Sequence, residues 1–201
     1  TLAHHILATM KVACVVGVTT AQLDEIARIE LEKAGAWSPS KNYPDYKPGK
    51  GFPGYTCISI NEEVVHGIPG GRVVSDGDVV TLDLALSLNG YCADTATTVA
   101  VGSVNPQAER LLKVTKETLE LAISHIKPGK KWSEVARLMQ YNVERNGFSV
   151  IREFVGHGVG HSIHEDPKVP NFVPSDQVRG DFKLRPGMTL AVEPMVVLGR
   201  R

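Results

Sequence analysis

A degenerate internal duplication constrains this chain more than any other feature. Gly17 opens a segment that ends at Gly35, and Gly129 opens one that ends at Gly147, eighteen residues on in both cases. Counted from each opening glycine, Leu23, Ile26, Ala27 and Leu31 match Val135, Leu138, Met139 and Val143. That i, i+3, i+4, i+8 spacing is the buried stripe of a helix. Thr19 with Gln22 reads as a capping box, and Gly35 and Gly147 as helix stops. Each helix is followed by β-rich sequence, Gly77-Asp78-Val79-Val80-Thr81-Leu82-Asp83 and Gly187-Met188-Thr189-Leu190-Ala191-Val192-Glu193, with a carboxylate six residues after the glycine in both. A histidine precedes each: His66 in His-Gly-Ile-Pro and His164 in His-Glu-Asp-Pro. The expectation is an α+β domain of two related halves, each a helix packed on antiparallel strands.

Bulk properties exclude several classes. With 201 residues the chain is long enough for one sizeable core, and we expect a single catalytic domain over 1–201. Lys+Arg 22 balance Asp+Glu 22, so no global charge argues for nucleic-acid binding or a membrane surface. No apolar run approaches the ~18–20 residues of a membrane span. Cys14, Cys57 and Cys92 form neither a disulfide framework nor a zinc knuckle, which points to a reducing, cytoplasmic setting. Thr1 falls inside a helical pattern and Gly199-Arg200-Arg201 follows an apolar strand, so both ends read as fragment boundaries.

The chemistry begins at a hairpin. Val79 to Leu86 and Tyr91 to Ala96 flank Asn89-Gly90, a type I′ turn signal. A two-residue loop pairs Leu88 with Tyr91 and hence Asp83 with Ala96. Asp94 then shares a face with Asp83, on its diagonal, while Leu82, Leu84 and Leu86 face a core. Diagonal neighbours lie about 7–8 Å apart at Cα, within joint reach of bridging ions. Two such carboxylates share a proton, pair with arginine, or bind metal. Further along, Val155-Gly156-His157-Gly158-Val159-Gly160-His161 is a glycine-dense loop with histidines, followed by His164-Glu165. It matches neither G-x-G-x-x-G nor a Walker loop. Histidine, the carboxylate pair and Glu193 in an apolar strand supply mixed N/O donors, which suit Mn, Fe, Co or Zn better than calcium.

These motifs occur in the order Cys57-Ile58-Ser59-Ile60-Asn61-Glu62, His66-Gly67-Ile68-Pro69, Asp83 with Asp94, Gly156-His157-Gly158-Val159-Gly160 with His164-Glu165, and Glu193-Pro194-Met195. In that order they resemble the methionine aminopeptidases, from about Gly17 to the last residue. The absence of a long insertion between His157 and Glu193 resembles the type I, bacterial-like branch. The resemblance implies the pita-bread fold, whose pseudo-twofold symmetry agrees with the duplication. It also implies removal of the initiator methionine from nascent polypeptides whose second residue is small.

Residue by residue, the resemblance implies two divalent metal ions, with Asp83 on one, Asp94 bridging, and His157 with Glu193 on the other. The family's second bridging glutamate lies in a strand beyond Arg201, so the chain reads as C-terminally truncated, with an inactive fragment as one expectation. Two cations about 3.5–4 Å apart activate a bridging water and polarise a carbonyl. His164 resembles the residue that stabilises the tetrahedral intermediate, and His66 the one that contacts substrate near the scissile amide. Glu193 is the candidate proton shuttle. Cys57 and Phe52 match positions lining the methionine pocket, where a thiol and an aromatic ring suit a thioether. His161 and His125 are unassigned, and His4-His5 read as ordinary helix residues. Nascent N-termini at the ribosome are the implied partners of a monomeric enzyme. The competing readings are an Xaa-Pro aminopeptidase or prolidase of the same fold, and a catalytically impaired binding module.

Overall fold

In the computed structural model, residues 1–44, 50–173 and 181–199 are described. Their order is α1 (Leu2–Ala13), α2 (Thr20–Lys33), β1 (Cys57–Ile60), β2 (Val79–Leu88), β3 (Tyr91–Ala100), α3 (Pro106–His125), α4 (Trp132–Arg145), β4 (Ser149–Val150), β5 (Gly156–Gly158), β6 (Glu165–Val169), β7 (Leu190–Ala191) and β8 (Val196–Val197). Contacts divide the chain into two compact units. The first is Thr1–Asn105 with Gly160–Ile163, and the second Pro106–Val159 with His164–Arg201.

In the first unit, the capping box forms as the sequence predicts. Thr19 Oγ1 accepts from the Gln22 N–H (3.2 Å), and Gln22 Oε1 accepts from the Thr19 N–H (2.8 Å). These two bonds satisfy donors that the start of α2 leaves open. Leu23, Ala27 and Leu31 are fully buried and Gly35, at φ +65°, ends the helix. The strands form one antiparallel sheet in the order β1-β2-β3. Its core side carries Ile58, Ile60, Val80, Leu82, Leu84 and Leu86, packed with Ile6, Met10 and Leu23 from the helices.

The second unit repeats the local plan. Val135, Met139 and Val143 of α4 are buried, matching Leu23, Ala27 and Leu31. The backbone repeats it too. In the first unit Gly17 N–H donates to Val74 O, Val74 N–H to Val18 O, and Thr20 N–H to Arg72 O, at 2.8, 2.8 and 3.0 Å. In the second, Gly129 donates to Leu184 O, Leu184 to Lys130 O, and Trp132 to Phe182 O, at 2.8, 2.8 and 2.9 Å. A helix entrance clipped to a distant strand-like segment is therefore the repeated unit.

Two features differ from the sequence reading. Each unit holds two helices rather than one, because α1 and α3 precede the repeated pair. Among the described residues, the second unit also has no long hairpin. Its strands are short, in the orders β6-β5-β7 and β4-β8. Glu193 therefore lies in the link between β7 and β8, not inside a continuous strand. Pro194 beside it has no N–H to offer a ladder, which favours a break there.

Candidate metal centre

In the first unit the turn fixes the chemistry. Asn89 and Gly90 both adopt positive φ (54° and 80°), the requirement of a type I′ turn. Leu88 pairs with Tyr91, Asp83 with Ala96, and Ala85 with Asp94, so the register is the one the sequence predicts. Asp83 and Asp94 consequently share a face, opposite the leucines of the core. On the other side of β2, Cys57 pairs directly with Asp83. Because side chains alternate along β1, Cys57 and Ser59 point to the carboxylate face while Ile58 and Ile60 enter the core.

The carboxylates leave a mark on Cys57. Burial pushes its thiol well above the usual range, and the charges of Asp83, Asp94 and Asp24 push it further. A thiol that stays protonated is a poor nucleophile and a good apolar wall. Asp24 has a separate task. Its carboxylate accepts from the Tyr55 N–H (2.9 Å), the Thr56 N–H (2.8 Å) and the Thr56 hydroxyl (2.7 Å), tying α2 to the entrance of β1. Phe52, also in this unit, is buried, and its backbone is held by exchange with Asn42 and Tyr43.

His66 stands in the left-handed region, at φ +58°. Much of the residue is open to solvent, yet desolvation of the ring lowers its pKa, with the Asp94 charge pulling the other way. The ring is therefore neutral at pH 7 and has one N–H to donate.

In the second unit β5 is the central strand, between β6 and β7. Its glycines are there for space. A Cβ on Gly156 would sit 2.2 Å from Ala191 O, and one on Gly158 would sit 2.4 Å from Asp166 O. His157 lies between them, opposite Ala191. Its Nδ1 is 2.9 Å from Gly158 O, so Nδ1 carries the proton and Nε2 keeps its lone pair. Nε2 in turn lies 3.3 Å from Glu193 Oε1. Two basic atoms at that distance need a cation between or beside them, either a proton or a metal. A backbone carbonyl on the far nitrogen is the usual orientation of a metal-binding imidazole. The His164 ring meets the His157 ring edge-on at 4.3 Å between centroids. Asn171, 1% exposed, donates from Nδ2 to Glu193 O at 2.5 Å and steadies the link that carries Glu193.

The donor set of each unit thus fits a divalent ion. Asp83 and Asp94 offer oxygens on one strand face, and His157 with Glu193 offers nitrogen and oxygen. The remaining histidines go elsewhere. His4 and His5 are exposed on α1. His125 ends α3, bonded to Leu121 O and Ser124. His161 Nδ1 bonds Gly90 O at 2.7 Å and its ring lies 4.6 Å from that of Tyr91, so it braces the hairpin tip. Sequence reading passed over Asp24, Asn171 and this use of His161, because each partner is more than twenty residues away and no local pattern marks it.

A donor set of this kind on a pita-bread fold defines a metallopeptidase class, and comparison with known proteins agrees. The model of metallopeptidase family M24 matches residues 1–200, and the chain belongs to that family. It is 45% identical over 185 residues to methionine aminopeptidase 1 of Bacillus subtilis (strain 168), covering 92% of this chain and 71% of that protein. The crystal structure of methionine aminopeptidase from Rickettsia prowazekii superposes with a TM-score of 0.91 at 31% identity, covering 100% of this chain and 77% of that one. An Xaa-Pro dipeptidase from Bacillus anthracis has a TM-score of 0.76 at 23% identity, over 96% of this chain and 50% of the other, a likeness of fold alone.

Proposed function

We infer that this chain is a metal-dependent aminopeptidase that removes the initiator methionine from polypeptides with a small second residue. The observation that carries this reading is the 45% identity to a methionine aminopeptidase across 92% of the chain. The greater likeness to methionine aminopeptidases than to the Xaa-Pro enzyme favours it over a prolidase.

We assign two divalent ions, drawn from Co, Mn, Fe and Zn, to Asp83, Asp94, His157 and Glu193. When bound, they supply Lewis-acid polarisation of the scissile carbonyl and a water of lowered pKa. The chain's own residues do the rest. Cys57, kept as a thiol, and the buried ring of Phe52 line the methionine side chain. Neutral His66 donates its N–H near the scissile amide. As the water oxygen bonds to the carbonyl carbon, Glu193 takes its proton, and His164 donates to the oxygen of the tetrahedral intermediate. The C–N bond then breaks, and Glu193 passes the proton to the leaving amine.

Initiator methionine is first exposed as chains emerge, so nascent N-termini at the ribosome are the substrates we assign. Three free cysteines among the described residues suit a cytoplasmic enzyme. No described helix is long and apolar enough to cross a membrane. We take the enzyme to be a monomer, which sedimentation checks.

Substrate choice tests the reading. With Mn²⁺ present, the protein should cleave Met-Ala-Ser, leave Met-Trp-Ser nearly untouched, and ignore Ala-Pro-Ala. Preference for Ala-Pro-Ala would transfer the site to the prolidase class.

A further inference from the structure

His66 is a non-glycine residue in a left-handed conformation (φ +58°), and something must hold it there. The structure shows what grips the next residue. Gly67 is buried against the edge strand β1, so close that a Cβ on it would stand 2.2 Å from Ile58 O and 2.7 Å from Ser59 Cα. Two hydrogen bonds lock that contact. Ile58 N–H donates to Gly67 O at 2.9 Å, and Gly67 N–H donates to Ser59 Oγ at 3.0 Å. Ser59 is itself 3% exposed.

The second bond is unusual in its economy. The first is an ordinary strand-edge bond, but a regular ladder would not return Gly67 N–H to a side chain. Ser59 lies two residues from Cys57 and on the same face, the face that carries Asp83 through the Cys57–Asp83 pair. Its hydroxyl thus anchors the histidine's segment from the carboxylate side of β1, where the ring of His66 also feels the charge of Asp94. Without a hydroxyl at 59, the Gly67 N–H would be buried without that acceptor, and the segment would have reason to turn away.

We propose that Ser59 is a positioning residue: by clamping Gly67 onto β1 it holds His66 in the left-handed conformation in which it meets substrate. This rests on the aminopeptidase reading for the role of His66, though the clamp stands on its own geometry.

The test is a double-mutant cycle on the full chain with Mn²⁺ and Met-Ala-Ser. Ser59→Ala should lower kcat roughly tenfold with KM within about twofold, the signature of misplacement rather than lost binding. Ser59→Thr, which keeps the hydroxyl, should recover most of that loss. In a His66→Ala background, Ser59→Ala should cost almost nothing further in kcat. An unchanged kcat in the single variant, or the same loss with and without His66, would overturn the proposal. Two measurements need no turnover. The Gly67 amide of the unmodified protein should be protected from hydrogen exchange, and its His66 ring should give a single set of signals that broadens or doubles in Ser59→Ala. Fast Gly67 exchange, or unaltered His66 signals, would overturn the clamp. Absence of Met-Ala-Ser cleavage by the unmodified protein would instead count against the aminopeptidase reading.

Discussion

At the scale of single residues, environment decides what each titratable group can do. Burial and nearby carboxylates keep the Cys57 thiol protonated, and burial with the Asp78 charge does the same for Cys14. Iodoacetamide near pH 8 should therefore label the half-buried Cys92 first, with Cys14 and Cys57 protected until the protein unfolds. Rapid labelling of Cys57 in the folded protein would contradict this. For His66 the folded pKa is lowered, so the unfolded chain binds more protons between the folded value and the ordinary histidine value of about 6.5. That contribution to stability is present above the ordinary histidine pKa and is lost as pH falls from there through the lower, folded value. Replacing His66 with Gln should flatten the dependence of unfolding free energy on pH just below the ordinary histidine value of about 6.5, relative to the unmodified protein. His157→Ala should abolish binding of one ion in calorimetric titration with Mn²⁺, because it removes the nitrogen that faces Glu193.

At the scale of elements, the carboxylate pair depends on a turn and a packed face. The pairing of Asp83 with Ala96 was legible because Asn89-Gly90 admits only a short loop, and a short loop fixes every partner behind it. Gly90→Ala places a Cβ at φ +80° and should cost roughly 1–2 kcal/mol. Leu82 is fully buried behind the carboxylates, and Leu82→Ala should cost about 2–5 kcal/mol in denaturant unfolding. Either variant losing less than half a kilocalorie would mean that the hairpin is not what holds the face. Other elements were not legible. In α3, Val114, Thr118 and Ala122 are buried at spacings of four, but a threonine among them and the charges between conceal the stripe. The Glu193 link was read as strand because its apolar run hides the break at Pro194. The grip of Ser59 on Gly67 depends on a close backbone approach eight residues away, which no periodicity records.

At the scale of the whole molecule, the duplication was the most informative reading, and its basis is now visible. Glycines at 17 and 129 recur because each lets the chain turn into a helix while its N–H reaches a distant carbonyl, of Val74 or Leu184. The two halves differ in their strands, with a hairpin of two ten-residue strands in one and two- to five-residue strands in the other. The carboxylates we assign as ligands keep the matched positions, six residues past Gly77 and past Gly187. The central claim is that these donors make a metal-dependent aminopeptidase. The most direct measurement is methionine release from Met-Ala-Ser by the chelator-treated protein, before and after addition of Mn²⁺ or Co²⁺. The account predicts no release from the stripped protein and restored turnover on adding either ion. Release that persists after chelation, or none with any divalent metal, would contradict it.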